Sequence, residues 1–195
     1  MTRVLRFYNA GASGLNKSMV EDLGHDWVDD MAFADCVVFG DGPQPWQGWS
    51  RGKPTGSINF SACRDMHDVA VYVEAQRYGV PCFGWGRGGL LLMRLGGVPV
   101  VKAIGVKSSV LGIRPVDVDN FYGVTAIMKS DMVVDTAKLE DAGVPVIATY
   151  YGVEGVLMPD LQSFAVLFDP WRNTTSQKFM MKYVEEFVES YGGSD

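Results

Sequence analysis

Four glycines fall within the six residues Gly84-Trp85-Gly86-Arg87-Gly88-Gly89, between the apolar run Val80-Pro81-Cys82-Phe83 and the segment Leu90-Leu91-Leu92-Met93-Arg94-Leu95. A strand, a tight glycine turn and a helix in that order put the turn at the carboxyl edge of a sheet. Open α/β sheets bind their ligands at that edge. Three chemistries use such a turn. Gly84, Gly86 and Gly89 satisfy the dinucleotide pattern G-x-G-x-x-G, yet no Asp or Glu lies between Leu90 and Val116 to hold a ribose. A nucleophile elbow would carry a reactive side chain on a strained turn at the helix start. The helix amides could instead hold an anion with no covalent step.

The other reactive residues are few. Cys36, Cys63 and Cys82 form no C-x-x-C pair, which fits free thiols in a reducing, cytoplasmic compartment. Cys36 and Cys82 sit in apolar runs and read as inert core. Cys63 stands near His67 at a helix start, beside Asp65 and Asp68. That pair could make a relocated nucleophile, though a polar helix start with an incidental thiol is the plainer reading. His25, in Gly24-His25-Asp26-Trp27, reads as a surface-loop residue. No His, Cys, Asp and Glu share metal-ligand spacing, so neither a metal nor a cofactor is expected. Arg87 is expected to pair with Glu74 on the preceding helix or with Asp169. Trp46, Trp49 and Trp85 could anchor an interface or pack a loop onto the sheet.

The elements that must position these groups follow from apolar spacing and turn residues. Val4–Tyr8, Ala34–Phe39 and Val80–Phe83 read as buried strands. Helices are expected at Ser18–Leu23 and Asp68–Tyr78, the second with Val69, Val73 and Ala70 inward, and at Leu90–Leu95. A long Gly-, Pro- and Trp-rich stretch from Gln44 to Ala62 reads as a surface loop. Short strands follow near Val98–Ala103, Val124–Met128, Val144–Ala148, Gly155–Met158 and Phe164–Phe168. Ser176 can cap a last helix whose stripe is Phe179, Met180, Tyr183, Val184, Phe187 and Val188. Alternation early and strands late give an α/β three-layer sandwich, with a mostly parallel, flavodoxin-like central sheet and a late antiparallel extension.

Taken together, Gly79-Val80-Pro81-Cys82-Phe83-Gly84-Trp85-Gly86-Arg87-Gly88, with Gly96-Gly97 beyond it, resembles the elbow of class I glutamine amidotransferases, G-V-P-x-x-G-x-C-x-G-x-Q. Val37-Val38-Phe39-Gly40-Asp41-Gly42-Pro43 is similar to the family's strand and Gly-Gly-Pro turn, whose amides help form an oxyanion hole. Ala165-Val166-Leu167-Phe168-Asp169-Pro170-Trp171 is similar to its late G-x-Q-F-H-P-E segment. The resemblance implies that Gly86 stands at the nucleophilic cysteine, Asp169 at the histidine, Trp171 at the orienting carboxylate and Leu90 at the elbow glutamine. Thiol acyl transfer needs a thiolate, a base and a group to orient the base. Glycine offers no nucleophile, aspartate cannot replace an imidazole as proton shuttle near neutral pH without a large pKa shift, and indole has no basic function, so glutamine hydrolysis is not expected. A glycine at an elbow relieves backbone strain, and Trp171 is expected to fill the space above Gly86.

Composition bounds what remains. The 195 residues carry 17 Lys+Arg against 23 Asp+Glu, a formal charge of −6, with 47% hydrophobic residues. One globular domain over 1–195 is expected. Scattered basic residues argue against nucleic acid, and no apolar run approaches the ~20 residues that span a bilayer. The expected function is binding without hydrolysis. The partner would be a protein, a second copy, or a small carboxylate or phosphate held by Gly40, Asp41, Gly42, Gly86, Arg87 and Gly88. The alternatives are an enzyme of altered chemistry using Asp169, Cys63 or His67, and a structural assembly protein.

Overall fold

A computed structural model describes residues 3–11, 15–42, 45, 61–102, 112–118, 121–128, 132–136, 138–139, 143–149, 153–172 and 174–191. Most of the stretch 44–62, with Trp46 and Trp49, lies outside them. The strands are β1 (Arg6–Asn9), β2 (Asp26–Val28), β3 (Cys36–Phe39), β4 (Cys82–Trp85), β5 (Val100–Lys102) and β6 (Gly112–Val118). Then come β7 (Phe121–Met128), β8 (Met132–Val134), β9 (Val146–Thr149), β10 (Val153–Met158), β11 (Ser163–Val166) and β12 (Phe168–Asp169). The helices are α1 (Lys17–Asp22), α2 (Ala62–Tyr78), α3 (Arg87–Leu95) and α4 (Thr174–Tyr191).

Among the described residues ten strands share one sheet, in the order β12-β7-β6-β9-β10-β11-β4-β3-β1-β2, while β5 and β8 pair separately. From β2 to β11 every pairing is parallel; beyond β11 every pairing is antiparallel. A single residue, Leu167, separates β11 from β12, and β12 pairs with β7 through Phe168–Met128 and Asp169–Ile127. The antiparallel run therefore curls until its far end meets the segment from which it began.

Strand side chains alternate between two cores, as the period of two requires. Phe7, Cys36, Val38, Phe83, Trp85, Phe164 and Val166 face a core closed by Val20 of α1 and by Met180, Met181, Val184, Phe187 and Val188 of α4. Val37, Phe39, Cys82, Ala165 and Leu167 face the other, closed by Val71, Tyr72 and Ala75 of α2 and Leu90–Met93 of α3. This is the three-layer α/β arrangement expected, with the antiparallel extension in place.

Local signals fix the helix ends. Asn16 caps α1 by accepting from the Met19 N–H at 2.9 Å. Ser61 caps α2, which Gly79 ends in the left-handed region at φ 66°. The structure departs from expectation in three places. First, α2 starts six residues before Asp68 and turns a different face inward. Asp65, Asp68, Val71, Tyr72 and Ala75 are buried and Val69 packs half-buried against the same core as expected, while Ala70 is exposed and Val73 is 43% exposed. The face is rotated by about one residue, ~100°, because ion pairs described below make burying Asp65 and Asp68 tolerable. Second, His25 is buried. Its Nδ1 accepts the Leu5 N–H at 3.2 Å and its Nε2 lies 3.0 Å from Glu185 of α4, so it ties the last helix to the first strand. Third, β2, β6 and β8 add strands beyond those expected, and α4 begins at Thr174 rather than after Ser176.

At the amino edge of the parallel strands, Asp35 is 7% exposed and accepts from the Arg6 main chain at 2.8 Å and from the Arg3 and Arg6 guanidinium groups. Burial opposes its ionisation. Bonds from the Arg6 side chain and main chain and the two positive charges outweigh burial, and the carboxyl lies below its ordinary value of 3.8. Its stabilisation is therefore complete above that ordinary value and fades as pH drops through the lowered one. Asp35→Asn is expected to cost about 1 kcal/mol at pH 7. In urea titrations the gap from wild type should close as pH is taken from neutral to below 3.8.

Candidate functional site

The turn between β4 and α3 is an elbow. Gly86 has φ 54° and ψ −118°, a conformation that side-chain-bearing L residues enter only under strain, and it caps α3 with no side-chain hydrogen bond. The glycines around it are set by close approach. A Cβ on Gly88 would lie 2.1 Å from the Phe39 carbonyl oxygen, and one on Gly89 2.1 Å from that of Val166. One on Gly84 would lie 2.7 Å from the Gly88 backbone. Helix α3 thus rests on the ends of β3 and β11 at a distance that only hydrogen atoms allow.

The six ligand-binding candidates come together. The Gly88 N–H donates to the Gly40 carbonyl at 3.0 Å, joining the elbow to the turn after β3. A Cβ on Gly86 would meet Asp41 Oδ1 at 3.1 Å, and one on Gly42 would meet Arg87 Cδ at 3.2 Å. Beyond the adjoining residues of the chain, the three heavy atoms nearest a Cβ at Gly86 all belong to Asp41. The side chain over the elbow is thus a carboxylate from the β3 turn, which corrects the expectation that Trp171 fills this space. Trp171 instead packs edge-on against Trp85 at 5.4 Å and Phe83 at 6.1 Å in the core with α4. Trp85 is fully buried in the same cluster, so it is not an exposed interface anchor. Asp169 is buried too, and its Oδ1 accepts the Trp171 N–H at 3.1 Å.

Arg87 pairs with neither Glu74 nor Asp169. Its Nη2 bonds Asp65 and its Nη1 bonds Asp68, all three side chains at most 2% exposed. Asp68 also accepts from Arg64 Nε at 2.7 Å. Spacing reasoning missed this chain, Arg64–Asp68–Arg87–Asp65. A signal was present, because Arg64, Asp65 and Asp68 crowd the first turns of α2. Charges there read by default as solvent-facing. Arg94 donates from Nη1 to the Pro45 carbonyl at 2.9 Å, and burial lowers its pKa against the opposing charge of Asp65.

The thiols differ sharply. Burial pushes the Cys82 thiol up to about 12, despite hydrogen bonds from Ser163 and Gln76. It raises Cys36 well above its ordinary value as well. Cys63 and His67, one turn apart on α2, are both exposed. Among the described residues no group of three or more His, Cys, Asp or Glu could hold a metal ion, and no helix is long and apolar enough to cross a membrane.

This fold is that of glutamine amidotransferase domains. A protein from Thermoplasma acidophilum, provisionally described as part of a GMP synthase, matches at TM-score 0.68 and 15% identity over 97% of this chain and 96% of that one. PurLQS from Thermotoga maritima matches at TM-score 0.66 and 15% identity, over 97% and 99%. The glutaminase domain of Trypanosoma brucei CTPS, solved with bound acivicin, matches at 0.61 and 14%, over 98% and 95%. No protein-family model and no curated protein matches the sequence.

Two outcomes test the site. Arg87→Met leaves Asp65 and Asp68 buried without their shared partner and is expected to cost about 3–5 kcal/mol in urea denaturation. A colorimetric thiol reagent should modify Cys63 alone in the native protein, with Cys36 and Cys82 reacting only after unfolding.

Proposed function

We propose that this chain is a class I glutamine amidotransferase-like protein that has lost glutaminase chemistry and acts by binding. One observation carries the reading. The elbow has a positive-φ turn with Gly86 at its apex, and the Asp41 carboxylate lies 3.1 Å from where a nucleophile's Cβ would stand. In the motif alignment, Asp169 and Trp171 hold the positions of the base and its orienting carboxylate. Asp169 bonds the main chain of Trp171, and Trp171 is packed into the core. An indole has no basic group, and a carboxylate bound to the main chain is a poor substitute for an imidazole in carrying a proton from a nucleophile to a leaving amine. A carboxylate beside the elbow also disfavours the tetrahedral oxyanion that acyl transfer must stabilise, because like charges repel at short range.

Binding remains as the role. A protein partner or a second copy is supported by the fold's occurrence in a protein described as one of the subunits of a GMP synthase. A small carboxylate or phosphate is supported by the guanidinium groups gathered beside the elbow. An exposed free thiol at Cys63 is in keeping with a reducing, cytoplasmic setting. The altered-chemistry alternative gains nothing from Cys63 and His67, which stand on the outer face of α2 away from its buried carboxylates.

Incubation with glutamine should release no ammonia above the uncatalysed rate. Gly86→Cys alone should not restore release, since no imidazole stands at the elbow to activate the thiol. Turnover by wild type would refute the loss of chemistry.

A further inference from the structure

In a doubly wound sheet the ligand crevice opens where neighbouring strands send their connections to opposite faces. Here that point lies between β1 and β3. The chain leaving β1 reaches α1, which packs on the core shared with α4; the chain leaving β3 reaches α2, on the other core. The strand order β2-β1-β3-β4 fixes the crevice there, one strand away from the elbow. The ladder runs to its mouth, because the Ala10 N–H donates to the Val38 carbonyl at 3.0 Å.

Two arginines bracket this mouth. The Arg64 guanidinium lies against Gly11, just past β1, where a Cβ would stand 3.2 Å from Arg64 Cζ and where φ is +79°. Arg87 lies against Gly42, just past β3. Asp68 bridges the two, and Asp65 takes the remaining fork of Arg87. Both carboxylates are thereby engaged. Among the described residues, Arg64 Nη2 and Arg87 Nε are buried donors with no hydrogen-bond acceptor. A buried guanidinium N–H without a partner costs free energy that an acceptor would recover. The Arg64 side chain is 23% exposed, so a solute can reach it. The elbow offers less, since Asp41 stands over it and the Gly88 N–H is already engaged by Gly40.

We infer that the β1–β3 crevice is an oxyanion site, taking a phosphate- or carboxylate-bearing small molecule with Arg64 as its anchor. The oxyanion enters along the exposed part of the Arg64 side chain and accepts from Nη2 of its fork, a geometry guanidinium suits better than ammonium. Asp68 holds that fork in place through Nε. The inference deepens the binding half of the proposed function and rests on it; it does not depend on whether glutamine is cleaved.

The test is titration of the 15N-labelled full chain with inorganic phosphate and, separately, with malonate. Saturable shifts should centre on Gly11, Gly42 and the Arg64 Nε–H. Arg64→Gln should weaken binding at least tenfold while the protein stays folded, as judged by its amide spectrum. Arg64→Lys, which keeps charge but loses the fork, should fall between the two. If Arg64→Gln does not fold, the wild-type Arg64 signal and the Arg64→Lys affinity decide. Whichever anion binds more tightly names the ligand class. Absence of saturable shifts with both anions, or unchanged affinity in Arg64→Gln, overturns the site. Shifts centred on Gly86 and the start of α3 also overturn it, while leaving a binding role at the elbow. Ammonia release from glutamine would instead refute the proposed loss of chemistry and leave the Arg64 result untouched.

Discussion

Contact between α3 and the sheet is set by three missing side chains. Gly84, Gly88 and Gly89 let backbone meet backbone where a single methyl group would fall between 2.1 and 2.7 Å from its nearest neighbour. Because interiors pack at crystal-like density, such an approach cannot be relaxed locally. It forces the chain through the positive φ of Gly86 and brings Arg87, the first residue of α3, over the start of α2. The buried face of α2, the pairing of Asp65 and Asp68 and the position of Arg64 all follow from that one contact. The elbow is thus a structural device whether or not it carries chemistry.

Charge is handled in a correspondingly economical way. Two aspartates and two arginines are linked at the carboxyl edge, and a second cluster, Asp35 with Arg3 and Arg6, secures the amino edge. Buried ion pairs of this kind add little net stability over apolar packing, yet breaking one is costly. That asymmetry makes them suited to holding two helices in a single register. His25 does comparable work between β1 and α4. The donors left over in the carboxyl-edge cluster lie where a doubly wound sheet would admit a ligand.

Much of the fold was legible from residues alone. Buried-type runs such as Cys36-Val37-Val38-Phe39 and the stripe from Met180 to Val188 declared their elements because burial on both faces, or on one stripe, leaves a plain pattern. Gly86, Asp41 and Arg87 could be singled out because a glycine turn between strand and helix constrains its neighbours. The face of α2 was not legible, since spacing ranks Val73 above Asp68 for burial and only the Arg87 partner, 19 residues on, reverses that order. His25 misled for a related reason, as its partners are a main-chain N–H 20 residues back and a carboxylate on the last helix. Strands β2 and β8, three residues each, are too short to show periodicity, and β6 carries Pro115 within it.

The central claim is an elbow without a nucleophile. Its most direct measurement is the intact mass of the protein after exposure to an electrophilic glutamine analogue, with the thiol of Cys63 first blocked. An unchanged mass is the result predicted. A stoichiometric adduct that glutamine itself protects against would show a reactive group meeting substrate, and would contradict it.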